Sequence, residues 1–259
     1  MVTIKKPDEI IRLREGGTIL ARALATVAAA VKPGVCIADL DALAHDELVS
    51  AGGVPAFFGY RGSKKNPPYP ATLCVSINDE VVHGIGTRKL YLKEGDIVGL
   101  DIGVKYPLKK GLFTDMAVTV GVGRVSAEKK RLMNVAQQAL DDAIAIIKSG
   151  VKTTDISKVI QKTCEKAGYS VVRDLTGHGV GYEIHEDPPI FCFYQSGMPE
   201  TVLQEGMVIA IEPMVCAGDW RVIVDDDQWT IRTTDGKPSA HFEHTIVVTR
   251  DGYKILTLP

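Results

Sequence analysis

The sequence predicts an α+β protein in which two similar αβ halves pack about a pseudo-twofold axis. The predicted elements run in the order helix, helix, strands, and this order occurs twice along the 259 residues. Short stretches also recur between the halves at long separations, which indicates a duplicated unit rather than a solenoid. A third observation is a set of acidic residues inside apolar, strand-like runs. We therefore expect a single domain over 1–259, with halves of about 1–125 and 126–259.

Each half is predicted to begin with two helices. In the first helix, which starts at Pro7, apolar residues follow one another at steps of three and four, as on the buried face of a helix. Glycine-containing stretches end the first two helices, and Ser126 is a suitable N-cap for the third. The predicted helices cover about 7–31, 38–51, 126–148 and 154–167.

Short runs of β-branched and apolar residues follow each helix pair and predict strands. The stretch Arg61–Pro70 is so rich in Pro, Lys and Gly that we predict a loop there. A second loop, Lys105–Gly111, forms the tip of a predicted antiparallel hairpin. The predicted strands are 72–77, 81–82, 97–104, 112–120, 170–173, 207–212, 221–224, 230–233 and 242–249.

The two halves also match residue by residue. The stretch 32–35 recurs as 148–151, and 92–97 recurs as 203–208. Several polar positions are matched in the same way, which predicts that they lie close together near the axis, where sites often form. The matched polar pairs are Asp101 with Glu212, His83 with His178 and, to within one residue, Asp115 with Glu243.

The hairpin places Asp101 and Asp115 inside strands that otherwise have the pattern of buried strands. If its tip is symmetric about Leu108, the two residues face each other directly, with Cβ atoms about 4.5–5.5 Å apart, where like charges repel. Gly99 and Gly103 lie on the same face and would leave room for a ligand close to the sheet. Taken alone, the hairpin fits either a metal site or an Asp that faces water at a strand end.

Pseudosymmetry would bring four carboxylates to one place. Burial of even one unpaired carboxylate is costly enough to force its protonation, so four together indicate cations or strongly shifted pKa values. With one imidazole added, this oxygen-rich set suits Mn²⁺, Fe²⁺, Co²⁺ or a catalytic Zn²⁺, and two ions about 3.5–4 Å apart would fit the number of ligands. The set consists of Asp101, Asp115, His178, Glu212 and Glu243.

Composition and charge exclude several classes of protein. A formal charge of −2 gives no global attraction to nucleic acid or to an anionic membrane, so neither partner is expected. No apolar run is long enough to span a bilayer, and the charged N-terminus differs from a signal peptide, so we expect a cytoplasmic protein. We also expect a monomer. The five cysteines are scattered without CxxC spacing, which indicates reduced thiols.

Six short motifs, in order along nearly the whole chain, resemble those of bacterial type I methionine aminopeptidases. They are Cys74-Val75-Ser76-Ile77-Asn78 with His83-Gly84, Leu100-Asp101-Ile102-Gly103, Phe113-Thr114-Asp115, Thr176-Gly177-His178-Gly179-Val180-Gly181, Ile211-Glu212-Pro213-Met214 and Glu243-His244-Thr245. The resemblance implies the pita-bread fold, a curved antiparallel sheet backed by helices, as a single catalytic domain. The segment Glu186–Gly206 is too short for the helical insertion of the type II enzymes.

The resemblance also implies an activity, the removal of the initiator methionine from nascent polypeptides, at the ribosome, when the next residue is small. Two divalent ions (Co, Mn, Fe or Zn) would be held by the five residues of the set, with Asp115 and Glu243 bridging. The ions would activate a water molecule, and Glu212 would shuttle its proton to the leaving amine. His185 would donate to the carbonyl oxygen, and His83 would contact the scissile peptide nitrogen.

The resemblance further implies a pocket for the methionine side chain, with Tyr60, Cys74 and Trp229 as its walls. Two features depart from the family pattern. Ile184 stands where an aromatic residue usually precedes the second catalytic histidine, and the two loops described above are longer than usual.

Some polar residues are interpreted as ordinary. His45 and His241 are expected to be surface or core histidines, and Asp225–Asp227 a solvated turn. Two alternatives to the leading function stay open. The first is a proline-specific peptidase of the same fold, and the second is a non-catalytic binding module that uses it.

Overall fold

The structure is a computed structural model that describes residues 2–62 and 67–259. The middle of the predicted loop Arg61–Pro70 lies outside the described residues, and its described parts are neither helix nor strand, as predicted. The described chain combines helices with antiparallel sheets, which confirms the α+β class.

The helices agree closely with the prediction. Ser126 caps the third helix, accepting a hydrogen bond from the backbone N–H of Lys129. That helix ends three residues earlier than predicted, because the chain turns at this point and the N–H of Ile147 bonds the carbonyl of Ile144. The helices are α1 Pro7–Ala30, α2 Ile37–Ser50, α3 Ala127–Ala145 and α4 Thr153–Lys166.

The described residues form fifteen strands. They are β1 Val54–Pro55, β2 Leu73–Ile77, β3 Glu80–Val82, β4 Ile97–Tyr106, β5 Leu112–Gly121, β6 Ser170–Val171, β7 Thr176–Gly179, β8 Glu186–Phe191, β9 Val208–Ile211, β10 Met214–Cys216, β11 Val222–Val224, β12 Ile231–Thr233, β13 Ser239–His241, β14 Glu243–Val248 and β15 Tyr253–Ile255.

Six of these strands are not predicted by the sequence patterns: β1, β7, β8, β10, β13 and β15. Most of them are only two to four residues long, too short for alternation to be visible. β8 contains Pro188 and Pro189, which argue against a strand, but it lies at the end of the sheet order, where a missing N–H is tolerated.

The main sheet is antiparallel and has the order β1-β4-β5-β14-β9-β7-β8, with β2 also paired to β4 and β15 to β14. The hairpin of the first half therefore meets the last long strand of the second half at the β5–β14 pair. The α1–α2 pair packs with strands of the first half in one core cluster. The α3–α4 pair packs in another, mainly with strands of the second half but also with Val81, Val82 and Ile97 of the first. None of the helices in the described ranges has the length and apolar character needed to cross a membrane.

Equivalent hydrogen bonds confirm the pseudosymmetry. The N–H of Gly34 bonds the carbonyl of Leu92 at 2.8 Å, and the N–H of Gly150 bonds the carbonyl of Leu203 at 2.9 Å. Both glycines have positive φ, 85° and 92°, which a residue with a side chain rarely adopts. The matched stretches 32–35 and 148–151 are therefore the same turn in the two halves.

The axis itself passes between Ala117 and Glu243, which face each other across the β5–β14 pair. On either side of this pair, the same hydrogen bonds occur twice. The Thr245 hydroxyl accepts from the N–H of Asp115 and donates to its carbonyl, and the Thr119 hydroxyl does the same for His241. His241 is thus the twin of Asp115, and the predicted match of Asp115 with Glu243 is wrong by two residues.

The match of His83 with His178 is also wrong. His178 in β7 pairs with Ala210, and the twin of Ala210 is Gly99, which pairs with Ser76 in β2. Ser76 is therefore the structural twin of His178. His83 instead follows β3, outside the strands, although both histidines begin a His-Gly-x-Gly stretch.

Candidate active site

All ten predicted site residues line one cavity of about 300 Å³. Seven of them are acidic or imidazole side chains and three are candidates for the methionine pocket. Residues that the sequence analysis did not select, Phe57 and Tyr69 among them, complete the apolar part of the lining. The ten are Tyr60, Cys74, His83, Asp101, Asp115, His178, His185, Glu212, Trp229 and Glu243.

The two acidic residues of the hairpin do not face each other directly. Asp101 pairs with Ala117 and Asp115 with Gly103, because the strand pairing continues to Tyr106 and Leu112 and the tip is centred one residue later than predicted. A shift of this kind keeps both side chains on one face, as diagonal neighbours. The two carboxyl groups are still close enough to repel each other when both are charged.

The space beside Gly103 is not open to a ligand, contrary to the prediction. A Cβ atom at this position would lie 2.9 Å from Cε1 of Phe57 and 3.2 Å from Cδ1 of Ile184. Gly103 is therefore needed because the cavity wall packs directly on β4.

The second half brings its polar residues to the same face. Ile211 pairs with His244, so the next residue, Glu212, continues in register towards Glu243. His178 lies opposite the small Ala210, and its Nε2 atom is 3.5 Å from Oε1 of Glu212.

The distances within this group are short enough for a shared cation. Nε2 of His178 is 3.8 Å from Oδ2 of Asp115. Potential ligand atoms of Asp115, His178 and Glu243 all lie within 4.8 Å of one another. The five predicted ligands from both halves thus converge on one part of the cavity.

The carboxyl groups are in an environment that opposes their charge. Burial and the negative neighbour Glu212 raise the pKa of Asp101 to about 7. Burial, followed by repulsion from the other carboxylates, raises the pKa of Asp115 and of Glu243 well above the ordinary range. Oδ1 of Asp101 and Oε1 of Glu243 are buried without a hydrogen-bond partner among the described residues. A cation would satisfy both atoms and remove the repulsion.

The protonation of His178 supports the same conclusion. Its Nδ1 atom lies 2.9 Å from the carbonyl oxygen of Gly179, which can only accept, so Nδ1 carries the proton. In the neutral form of the ring, the Nε2 lone pair then points at the carboxylate oxygens of Glu212 and Asp115. A lone pair facing negative charge is repulsive, whereas a neutral imidazole fixed in this way is a good metal ligand. The residues present therefore fit a divalent cation.

Two further histidines border the acidic group. His83 has a φ of 60°, a strained value for a residue with a side chain, and strain of this kind is often found at functional sites. Burial lowers its pKa to about 4. Nδ1 of His185 lies 2.8 Å from the hydroxyl of Tyr60, and its ring packs edge-on against His178 at 4.4 Å. Burial, together with His178, also lowers the pKa of His185, so both rings are neutral near pH 7.

The apolar part of the cavity belongs to a separate cluster that includes Cys74, Ile184 and Trp229. Tyr69 packs edge-on against Trp229 at 5.2 Å, and its hydroxyl donates to the carbonyl of Gly84 at 2.9 Å. Ile184, noted as a departure in the sequence, is buried in this wall. Phe57 and Tyr69 carried no motif signal of their own, although Tyr69 lies within the predicted loop Arg61–Pro70 and Phe57 lies shortly before it.

His241 was interpreted as an ordinary histidine, but it lies next to the acidic group. Its buried Nε2 atom is 3.5 Å from Oε2 of Glu212, and no closer partner exists among the described residues. Burial alone would raise the pKa of Glu212, but His241, His178 and His185 outweigh burial and lower it. The signal that could have identified His241 is its position as the twin of Asp115. His45, by contrast, only contacts the hydroxyl of Thr72 at 3.2 Å.

The Asp225–Asp227 stretch is less solvated than predicted. Asp227 accepts from the backbone N–H groups of Trp229 and Thr230, and Asp225 pairs with Arg232 at 2.5 Å. These bonds hold the hairpin that presents Trp229 to the cavity, so the stretch supports the pocket wall.

Comparison with known proteins agrees with this geometry. Residues 11–250 match metallopeptidase family M24. The chain is 42% identical to a methionine aminopeptidase from Aquifex aeolicus, over 96% of each chain. It superimposes on a methionine aminopeptidase from Thermotoga maritima with a TM-score of 0.93 and 43% identity, and all of both chains are covered.

A prolidase from Pyrococcus furiosus shares the fold at a TM-score of 0.77, but at 23% identity and over 65% of its own length. The predicted pita-bread fold is confirmed by these structural matches. The chain therefore belongs to metallopeptidase family M24 and, within it, to the methionine aminopeptidases.

Proposed function

We propose that this enzyme removes the N-terminal methionine from polypeptides whose second residue is small, and that it uses two divalent ions to do so. The observation that carries the proposal is the composition of one cavity. Four carboxylates and a histidine with a free Nε2 line it together with an apolar, sulfur- and ring-containing wall. The proposed substrates are nascent chains in the cytoplasm. The enzyme is proposed to act on them at the ribosome, as a monomer.

The proposed metal ligands are Asp101, Asp115, His178, Glu212 and Glu243. Carboxylate oxygens with one imidazole suit Mn²⁺, Fe²⁺, Co²⁺ or Zn²⁺. Asp115 and Glu243, whose potential ligand atoms lie close together, would be shared by both ions. When bound, the two ions would lower the pKa of a water molecule towards neutrality and polarise the peptide carbonyl.

Glu212 is proposed to move a proton from the attacking water to the leaving amine. Its lowered pKa keeps it ionised near pH 7, so it can accept a proton, unlike the neighbouring carboxyl groups whose pKa values are raised. It is also less buried than Asp115 and Glu243, which leaves one edge accessible to the substrate.

His185 is proposed to donate a hydrogen bond to the substrate carbonyl oxygen as negative charge develops there. If the Tyr60 hydroxyl donates to Nδ1, the proton of the neutral ring resides on Nε2, which is then free to donate. His83, also neutral, is proposed to contact the nitrogen of the scissile peptide. Tyr60 would therefore both line the methionine pocket and select the His185 tautomer.

The methionine side chain is proposed to lie against Tyr60, Cys74 and Trp229. A thioether makes favourable contacts with rings and with sulfur, and Cys74 is a neutral thiol here because burial raises its pKa. Phe57 packs onto Gly103 of β4 and would complete the wall of the pocket on that side.

The direct test is hydrolysis of Met-Ala-Ser compared with Xaa-Pro peptides, with and without added Mn²⁺ or Co²⁺. We expect metal-dependent release of methionine and slow cleavage when the second residue is made large, as in Met-Leu-Ser. Cleavage of the Xaa-Pro peptides alone would instead establish the proline-specific alternative. No cleavage of any peptide at saturating metal would favour the binding module.

The division of roles has its own test. His185→Ala should lower kcat without changing the number of ions bound, because His185 is not a proposed ligand. Calorimetric metal titration beside steady-state kinetics would measure both quantities. Loss of a bound ion in this variant would assign His185 to the metal site instead.

A further inference from the structure

The segment ahead of α1 is tied to the loop that carries His185. Nζ of Lys5 lies 2.7 Å from Oε2 of Glu186, and the two side chains are only 1% and 6% exposed. The hydroxyl of Thr3 donates to the same oxygen. The backbone N–H of Lys5 bonds the carbonyl of Gly206 at 2.8 Å, which anchors the segment to the second half. We refer to Thr3–Lys5 as the N-terminal strap.

The other oxygen of the Glu186 carboxylate closes the His185 loop. Oε1 accepts the N–H of Tyr182 at 2.5 Å and the N–H of Glu183 at 3.1 Å. The Glu186 carboxylate thus binds both the beginning of the loop and the strap. Glu186 is also the residue that directly follows His185 in the chain. The Lys5 ammonium group also lies 4.8 Å from the centre of the Tyr182 ring.

Part of the loop is held by other contacts, since Ile184 is buried in the cavity wall and His185 bonds Tyr60. Tyr182 and Glu183 are exposed, so apolar burial contributes little to the position of these two side chains. A buried ion pair adds little net stability because desolvation offsets the attraction between the charges. Its effect here is geometric, since four donors fix the orientation of one carboxylate.

We propose that Glu186, held by Lys5 and Thr3 of the N-terminal strap, is a positioning residue that fixes His185 against the substrate carbonyl oxygen. The inference rests on the role proposed above for His185. The new element is that the position of His185 depends on the N-terminal strap, which lies far from the cavity residues in the sequence. Glu186 itself touches neither the substrate nor the ions in this scheme.

Glu186→Gln is the primary variant, because it keeps the shape but replaces an accepting oxygen with an NH₂ group. We expect kcat for Met-Ala-Ser to fall by up to about 10²-fold, since a displacement of about 1 Å can cost that much. KM and the number of bound ions should stay unchanged. Thr3→Val, a milder change, should lower kcat less but in the same way and keep the protein folded.

A double-mutant cycle separates positioning from general damage. In the His185→Ala background, Glu186→Gln should lower kcat by no more than about twofold, because residues that act through one another are not additive. Ile160→Val, on the buried face of α4, is the control for lost stability. Its effect on kcat should be small both in the parent and in the His185→Ala background.

Two outcomes would overturn the proposal. The first is an unchanged kcat in both Glu186→Gln and Thr3→Val. The second is that Glu186→Gln lowers kcat equally in the parent and in the His185→Ala background. If His185→Ala itself keeps full kcat, the role proposed for His185 fails and the strap proposal fails with it. Amide hydrogen exchange gives a readout independent of activity. It should be faster over 181–186 in Thr3→Val but not in Ile160→Val.

Discussion

The two halves of the molecule share a backbone but differ in chemistry. Thr119 and Thr245 make the same pair of hydrogen bonds on opposite sides of the axis, and the turns at Gly34 and Gly150 are alike. The side chains differ at each twin position on the sheet near the cavity. The twins are Asp101 and Glu212, Asp115 and His241, Ala117 and Glu243, and Ser76 and His178.

The difference is clearest on the axis. Strict symmetry would place the same residue at 117 and 243, directly opposite each other. Two glutamates there would add a fifth carboxylate to an already repulsive group, whereas Ala117 leaves space for Glu243. The symmetric scaffold thus fixes where side chains meet, and the asymmetric choice of residues lets the site contain both carboxylates and neutral imidazoles.

Metal removal should have the largest effect on this comparison, because the proposed ligands come from both halves. A chelator should abolish activity while circular dichroism at 25 °C stays close to that of the loaded protein, since each half keeps its own core cluster. The melting temperature should fall, because an ion bound only to the native state stabilises it. Complete unfolding on chelation would mean that the ions are structural.

Substitution at the twin positions 101 and 212 should sharpen the comparison. Glu212→Gln keeps the shape but loses the basic oxygen, so kcat should fall by about 10²–10⁴-fold with a much smaller change in KM. Steady-state kinetics at saturating metal measures both constants. A near-normal kcat would remove Glu212 from proton transfer and leave it as a ligand only.

The same twins should differ in how metal-free stability depends on pH. Asp101 has a folded-state pKa of about 7, so between pH 4 and 7 the folded protein holds a proton that the unfolded chain releases. Its contribution to stability is therefore present at low pH and is lost as the pH rises. Without metal, Asp101→Asn should gain stability relative to the parent from about pH 4 to 7.

Glu212 is the control for this effect, because its pKa is lowered from 4.5. Its stabilising contribution is complete above that pH and is lost only as the pH falls further. The stability difference between Glu212→Gln and the parent should thus stay nearly constant from about pH 5 to 7. Urea unfolding in a chelator measures both series, and parallel curves for the two variants would contradict the assigned shifts.

The smallest predicted effect tests the scaffold itself. Thr119→Val and Thr245→Val each leave one backbone N–H and one C=O without a partner, so each should lose about 1–3 kcal/mol of stability. Only Thr245→Val should also weaken metal binding, since Thr245 holds the backbone of Asp115 whereas Thr119 holds that of His241. The corresponding Ser variants keep the hydroxyl and serve as controls. Unequal stability losses would show that the two sides are not equivalent.

Periodicity and local motifs were sufficient to predict the helices and the duplicated halves, and the family resemblance identified the ten cavity residues. The sequence was insufficient for strand register. The hairpin tip is off by one residue because turn geometry, not the apolar pattern, sets the pairing of Asp101 and Asp115. His241 was missed for a related reason. Loop lengths differ between the halves, so the separation between twins changes along the chain and conceals the match to Asp115.

The β5–β14 pair also determines when the enzyme becomes competent during its own synthesis. A ribosome delivers the chain from its N-terminus, and the last proposed ligand, Glu243, follows the first, Asp101, by 142 residues (243 − 101). Until β14 has emerged and paired with β5, the first half presents two neighbouring acidic groups without their partners. The proposed site is therefore assembled only after β14 has paired with β5, so a chain that ends before Glu243 should not form it.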